Sequence, residues 1–201
     1  MENEKQEKAL EAKKGFSIYD IVAVALMAAV VYVVTNFRIT IPTPIGKTML
    51  HFGNVFCLLS AFILGGKRGG LAAGLGSMFF DLFSDWATSA PFTLVFKFIM
   101  AYVCGKIAYG GDAQAKSLKR NIVAALCGAV SYTVLYTAKN VVTGFFFMRN
   151  PWQTVLLDAA YKGGTSLVNA IIAVVAAVAL APLFRKALEH SGFYQKLYNR
   201  T

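Results

Sequence analysis

Charge is scarce in this chain, and so are most of the side chains that carry chemistry. Charged residues are 15% of the 201, against 57% in the apolar set; soluble domains carry about 25% charged residues. An ordinary water-soluble domain is excluded. The histidines are His51 and His190 alone, too few for a histidine-based metal cluster. No GxSxG accompanies His51, so a serine-hydrolase elbow is missing. Cys57, Cys104 and Cys127 lie in apolar stretches without CxxC spacing. They read as small core residues, not as disulfides or metal ligands. Gly46-Lys47-Thr48 has the shape of the end of a phosphate-binding loop, but Ile41 stands where its first glycine belongs. ATP hydrolysis by this chain is excluded on that ground. Asp81 and Asp85, one helical turn apart, are the sole carboxylate pair near the apolar runs, slender support for a proton relay or a metal site. The charged start, MENEKQEKALEAKKG, has no apolar stretch close behind a short basic segment, so a cleaved signal peptide is not expected.

What the chain has instead is apolar length. A helix crosses a bilayer with about 20 apolar residues. Six runs approach that: 18–37, 51–64, 71–83, 91–109, 121–147 and 164–183. The expectation is an all-α membrane protein of six transmembrane helices. Pro42 and Pro44 make 38–50 an extended loop. Gly65-Gly66-Lys67-Arg68-Gly69-Gly70 reads as a turn, and Pro91 suits the first turn of a helix. Residues 110–120 read as a polar loop and 148–161 as a longer one. A polar segment at 1–16 precedes the membrane domain at 17–184, and an interfacial tail follows at 185–201.

The net charge of +10 is unevenly placed. With both termini in the cytoplasm, the inner segments hold 14 basic residues: Lys5, Lys8, Lys13, Lys14, Lys67, Arg68, Lys106, Lys116, Lys119, Arg120, Arg185, Lys186, Lys196 and Arg200. The outer loops hold 4: Arg38, Lys47, Arg149 and Lys162. That bias is the positive-inside pattern, and it makes the basic residues topology determinants rather than a nucleic-acid patch.

Small residues recur one turn apart: Ala25 and Ala29, Gly70 and Gly74, Ala73 and Ser77, Ala101 and Gly105, Ala173 and Ala177. Such pairs let helix backbones approach closely in lipid, either within the bundle or against a partner subunit. Charge in lipid costs on the order of 2.5–3.5 kcal/mol per residue, so polar residues at membrane depth need a reason. His51, Asn54, Asp81, Lys97, Tyr132, Tyr136, Lys139, Asn140, Lys162, Thr165, Ser166 and Asn169 all fall in the outer halves of their runs. The inner halves are apolar or small. This layering predicts a polar pocket open to the outside and closed below. Snorkelling accounts equally for His51 and Lys162, and Asp81 with Lys97 could be a structural ion pair. Lys139 still leaves a surplus cation, which favours a ligand carboxylate. Phe52, Trp86, Phe92, Phe145, Phe146 and Trp152 lie at the same level, as an aromatic belt or as a cover for a ligand.

The stretch HFGNVFCLLSAFILGGKRGGLAAGLGSMFFD, from His51 to Asp81, resembles the second and third helices of the S components of energy-coupling factor (ECF) transporters. SAPFTLVFKFIMA, from Ser89 to Ala101, resembles their fourth helix, and Ala25 with Ala29 resembles the small-residue motif of their first. The resemblance implies a vitamin-binding subunit of an ABC-type importer in the bacterial plasma membrane, not an enzyme. It implies capture on the outer side, under the loop joining helices one and two. Ala25 and Ala29 would dock on a transmembrane coupling subunit driven by two ATPase subunits, which use the ATP; this chain would hold no cofactor of its own. His51, Asn54, Asp81, Lys97, Tyr132, Lys139, Asn140 and Asn169 are the expected substrate-binding residues. The resemblance is nearest to the pantothenate, pyridoxine and hydroxymethylpyrimidine branches. Lys97 and Lys139 tilt it toward pantothenate, with riboflavin behind for want of stacking aromatics. An intramembrane enzyme using His51 or Asp81, or an autonomous channel or carrier, remains the alternative. The one-sided pocket favours the transport subunit.

Overall fold

The computed structural model describes residues 16–194. The polar segment expected at 1–16 falls almost wholly outside the described residues, as do Lys196 and Arg200. Among the described residues, five helices are long and apolar enough to cross a membrane, and the protein is a predominantly helical, multi-pass membrane protein.

Helix α1 spans Ile18–Thr35. Ser17 starts it with a capping box: the Asp20 N–H donates to Ser17 Oγ at 3.2 Å, and the Ser17 N–H donates to Asp20 Oδ2 at 2.9 Å. Two otherwise orphaned donors are thereby satisfied.

The chain then departs from the expected loop. Strands β1 (Arg38–Thr43) and β2 (Gly46–His51) form an antiparallel hairpin, pairing Arg38 with His51 through Thr43 with Gly46. Its β-branched residues, Ile39, Thr40, Ile41, Thr43 and Thr48, suit a pleated ribbon. Pro42 is tolerated because a two-stranded ribbon leaves half of its N–H groups facing outward. The all-α expectation is corrected to this extent.

Helix α2 is a continuous run of 30 residues, Gly53–Leu82, broken in direction at Gly65 (φ 79, ψ −177). Only glycine adopts that conformation without strain. Ser60 Oγ donates to Gly69 O at 2.9 Å, and Cys57 Sγ lies 3.6 Å from Ser77 Oγ. In a straight helix residues 57 and 77 would be about 30 Å apart. The two arms, 53–64 and 66–82, therefore lie side by side, turned at one glycine rather than through the six-residue loop expected from composition.

Helices α3 (Ala90–Ala108), α4 (Leu118–Val142) and α5 (Trp152–His190) complete the bundle. A π-helical turn, Thr143–Phe147, extends α4. The loop expected at 148–161 is a second correction: α5 starts at Trp152, directly after Pro151, and runs 39 residues to His190. Its buried stripe is Val155, Asp158, Lys162, Ser166, Asn169, Ala173, Ala177, Ala181 and Arg185. The stripe is polar at one end, small in the middle and basic at the other.

Two groups of polar contacts lock the end opposite the hairpin. Arg68 Nε pairs with Asp20 Oδ1 at 2.9 Å. Arg185 Nη1 donates to Phe62 O at 3.0 Å, and the Tyr109 hydroxyl donates to Phe62 O at 2.9 Å and Ile63 O at 3.1 Å. These carbonyls end the first arm of α2, where no following turn supplies N–H donors to them. Arg185, expected in an interfacial tail, is instead buried in the helix.

Candidate functional site

The hairpin lies across one end of the bundle and is held there by α5. Asp158 Oδ1 accepts the Ile45 N–H at 2.9 Å, and Lys162 Nζ donates to Ile45 O at 2.9 Å. Asp158 and Lys162 also pair with each other at 2.9 Å. Further along, Asn169 accepts the His51 N–H at 3.1 Å and donates to Met49 O at 2.8 Å. Apart from the Asp158–Lys162 pair, every one of these contacts is to hairpin backbone. Asp158 and Lys162 hold the turn at Ile45, and Asn169 occupies part of the outer edge of β2, which would otherwise be a row of unpaired groups. Lys162 is therefore a clamp within a helix and does not snorkel.

Beneath the hairpin lies a cavity of about 640 Å³, walled by β2, the second arm of α2, α3, α4 and α5. That is the size of a small-molecule site. Of the expected binding residues, His51, Asp81, Lys97, Tyr132, Lys139, Asn140 and Asn169 line it. Asn54 does not, but its side-chain oxygen accepts a hydrogen bond from Lys97.

Most of the polar groups have a partner within the protein. Lys97, 3% exposed, donates to Asn54 and sits 3.5 Å from the Tyr132 ring centroid. A buried ammonium needs such partners. Asp81 accepts from the Thr93 hydroxyl. No ion pair joins Asp81 to Lys97 among the described residues, so the structural pair considered from sequence does not form. Lys139 donates to Ser89 Oγ at 3.1 Å, and Asn140 donates to Tyr136 O at 2.8 Å.

The walls are more aromatic than the sequence suggested. Phe80, Trp86, Phe92, Phe96, Tyr132, Tyr136 and Phe147 all face the cavity. Phe80 stacks on Trp86 at 6.2 Å between centroids, and Tyr132 stacks on Tyr136 at 5.8 Å. Arg38 lies 5.1 Å and Lys47 4.8 Å from the Trp86 ring. Lys47 pairs with Asp85 at 2.7 Å, and its hydrogen bond and charge hold the Asp85 carboxyl below the usual carboxylate range. His51 lies in β2, outside the helical spans. Burial, then the charges of Lys97 and Arg38, pushes its imidazole down to about 3.

Asp158, Thr93 and Ser89 were missed from sequence. Asp158 and Lys162 carry an i,i+4 signal, which a segment read as a loop concealed. The small-residue pairs divide in two. Gly70 and Gly74 pack on Phe98 and Leu94, Gly105 packs on Gly66, and Ala73, Ser77, Ala101, Ala173 and Ala177 are buried. Ala25 and Ala29 are exposed on α1, whereas Ala23 and Ala28 face the bundle.

The family model described as "ECF-type riboflavin transporter, S component" matches residues 15–188. An uncharacterised protein of Pyrococcus woesei, described as lying in a gap 3′ region, is 29% identical over 119 residues, which cover 56% of this chain and 78% of that protein. The pantothenate, pyridoxine or hydroxymethylpyrimidine branch expected from sequence has no counterpart in the family description, which names riboflavin.

Proposed function

The chain belongs to the family of ECF-type riboflavin transporter S components, and from that membership we propose that it captures riboflavin, or a closely related planar vitamin, in the cavity under the hairpin. An S component is a transporter subunit, not a class of enzyme, and it works with an energising module. The observation that carries the substrate is the cavity wall. Seven aromatic side chains surround a space of about 640 Å³, and offset stacking on such rings suits a flat heteroaromatic system. The donors Lys97, Lys139 and His51 and the acceptor Asp81 offer hydrogen bonds to its polar edge. This ordering puts riboflavin ahead of pantothenate, which the two lysines and the resemblance of helices two to four favoured.

In this reading the chain crosses the membrane six times, the two arms of α2 counting as separate crossings. The arms are about 18 and 25 Å long, so the first is a short one. Both termini are cytoplasmic, as the basic residues at that end require. The hairpin covers the cavity from outside. The exposed Ala25–Ala29 face of α1 meets a transmembrane coupling subunit, two ATPases supply the energy, and this chain binds neither ATP nor a cofactor. The site is a bacterial plasma membrane.

The test is titration of the chain purified alone in detergent. Riboflavin should bind saturably, with its fluorescence quenched by stacking, and without turnover. Pantothenate, pyridoxine and hydroxymethylpyrimidine should not compete at equal concentration. Saturable pantothenate binding with no riboflavin binding would overturn the substrate. Vitamin flux into liposomes holding this chain alone would overturn the dependence on ATPase partners and favour a carrier.

A further inference from the structure

His51 ends β2, one residue before α2 begins at Gly53. The first N–H groups of a helix have no acceptor within it. Here the Gly53 N–H donates to His51 Nδ1 at 3.1 Å, so Nδ1 carries a lone pair. A neutral imidazole is protonated on one nitrogen, which places the proton on Nε2. The ring is held from two sides. Its backbone N–H is bonded to Asn169, and its Nδ1 rests against a residue that must be glycine. A Cβ at position 53 would stand 2.8 Å from Nδ1 and 2.2 Å from Thr35 Oγ1.

The other nitrogen has no such engagement. No group among the described residues accepts from Nε2, and it is not among the sealed polar atoms that lack a partner. His51 lines the cavity. Lys97, whose charge acts on His51, lines it too. Its ammonium gives one hydrogen bond to Asn54 and faces the Tyr132 ring, leaving a further N–H.

We propose that His51 is the specificity-determining hydrogen-bond donor of the cavity, its Nε2–H locked in place by the Gly53 backbone and reading an acceptor on the ligand, either a carbonyl oxygen or an unprotonated ring nitrogen. This rests on the cavity being the vitamin site. With Lys97 beside it, the ligand edge that meets His51 is acceptor-bearing. A heteroaromatic ring with carbonyl groups on one edge fits, whereas an edge presenting an amine sets donor against donor and is rejected.

Two substitutions separate the donor from the cap. In His51→Asn the amide oxygen falls near the position of Nδ1, can still accept from Gly53, and the cavity donor is gone. In His51→Gln the amide NH₂ falls near Nε2 and the bond to Gly53 is lost. The measurements are riboflavin affinity by fluorescence quenching, thermal stability in detergent, and the ¹⁵N shifts of labelled histidine in a His190→Gln background, where His51 alone reports.

The ligand-free spectrum should show a neutral ring protonated at Nε2. His51→Asn should weaken riboflavin binding by about tenfold, the worth of one buried hydrogen bond, with its melting temperature unchanged. His51→Gln should bind riboflavin more tightly than His51→Asn while melting earlier. A proton on Nδ1 would overturn the proposal, and so would wild-type affinity in His51→Asn, because a purely structural cap predicts the reverse ranking. Absence of riboflavin binding in the wild type defeats the substrate reading instead. The tautomer measured without ligand then decides the locked donor by itself.

Discussion

A neutral imidazole at His51 has a consequence that needs no ligand. Its folded value is about 3, while an unfolded histidine titrates near 6.5. Below about pH 6.5 the unfolded chain takes up a proton that the folded chain refuses. Stability therefore falls as pH drops through the window between the two values, by up to about 1.4 kcal/mol per pH unit from this group. Unfolding in SDS at pH 7, 6 and 5 should show that slope, and His51→Asn should flatten it. An equal slope in the variant would assign the effect to other groups. The Asp158–Lys162 pair obeys a related rule. Both residues are buried, and removing one partner of a buried pair typically costs about 3–5 kcal/mol because the other charge is stranded. Asp158→Leu should destabilise the fold by that order. It should also free the Ile45 amide, with faster hydrogen exchange there than at amides in the middle of α2. None of these pairings was legible in the sequence as a pairing. Residue types and their places in the apolar runs were readable, but Ile45 and Asp158 are 113 positions apart, and nothing local says that they meet.

Among the elements, α2 shows how far local chemistry reaches. The run of glycines from Gly65 to Gly70 was legible as a break in direction. That the break needs only Gly65 was not, because the other glycines serve close packing: a Cβ on Gly69 would stand 2.7 Å from Ala61 Cα. Gly65→Ala forces a side chain into a conformation costing on the order of 1–3 kcal/mol, although nothing lies within 4 Å of the added Cβ. The expected result is a lower melting temperature in detergent with riboflavin affinity nearly retained, since Gly65 makes the turn between the two arms of α2 and does not line the cavity. The hairpin and the first turns of α5 were misread for opposite reasons. Two prolines at 42 and 44 correctly excluded helix, but strand pairing is non-local and left no pattern strong enough to see. Pro151 suits an extended loop as well as the residue before a helix, and here the helix begins immediately after it.

The whole molecule is asymmetric from the hairpin end to the other: an aromatic and polar cavity at the hairpin end, a tightly tied basic end opposite, and small residues between. Ala25 and Ala29 lie on the outside of that bundle, the placement that close approach by another helix requires. Ala25→Trp and Ala29→Trp should abolish vitamin uptake in cells that supply the energising module, while riboflavin binding by the purified variant stays within about twofold. Normal uptake by both variants would remove that face from the docking surface.

By itself the sequence determined the membrane habit, the apolar runs and which polar residues interrupt them. A bilayer leaves the backbone little choice but helix, and charge in hydrocarbon is too costly to be placed without purpose. The tertiary structure decided the rest. It made a lid of the segment between α1 and α2 and turned Asp158, Lys162 and Asn169 into its clamps. It gathered the rings that shift the expected ligand from a small anion to a planar one. Those outcomes depend on which faces meet across long stretches of chain. Packing settles such meetings, and no periodicity in a single run of residues encodes them.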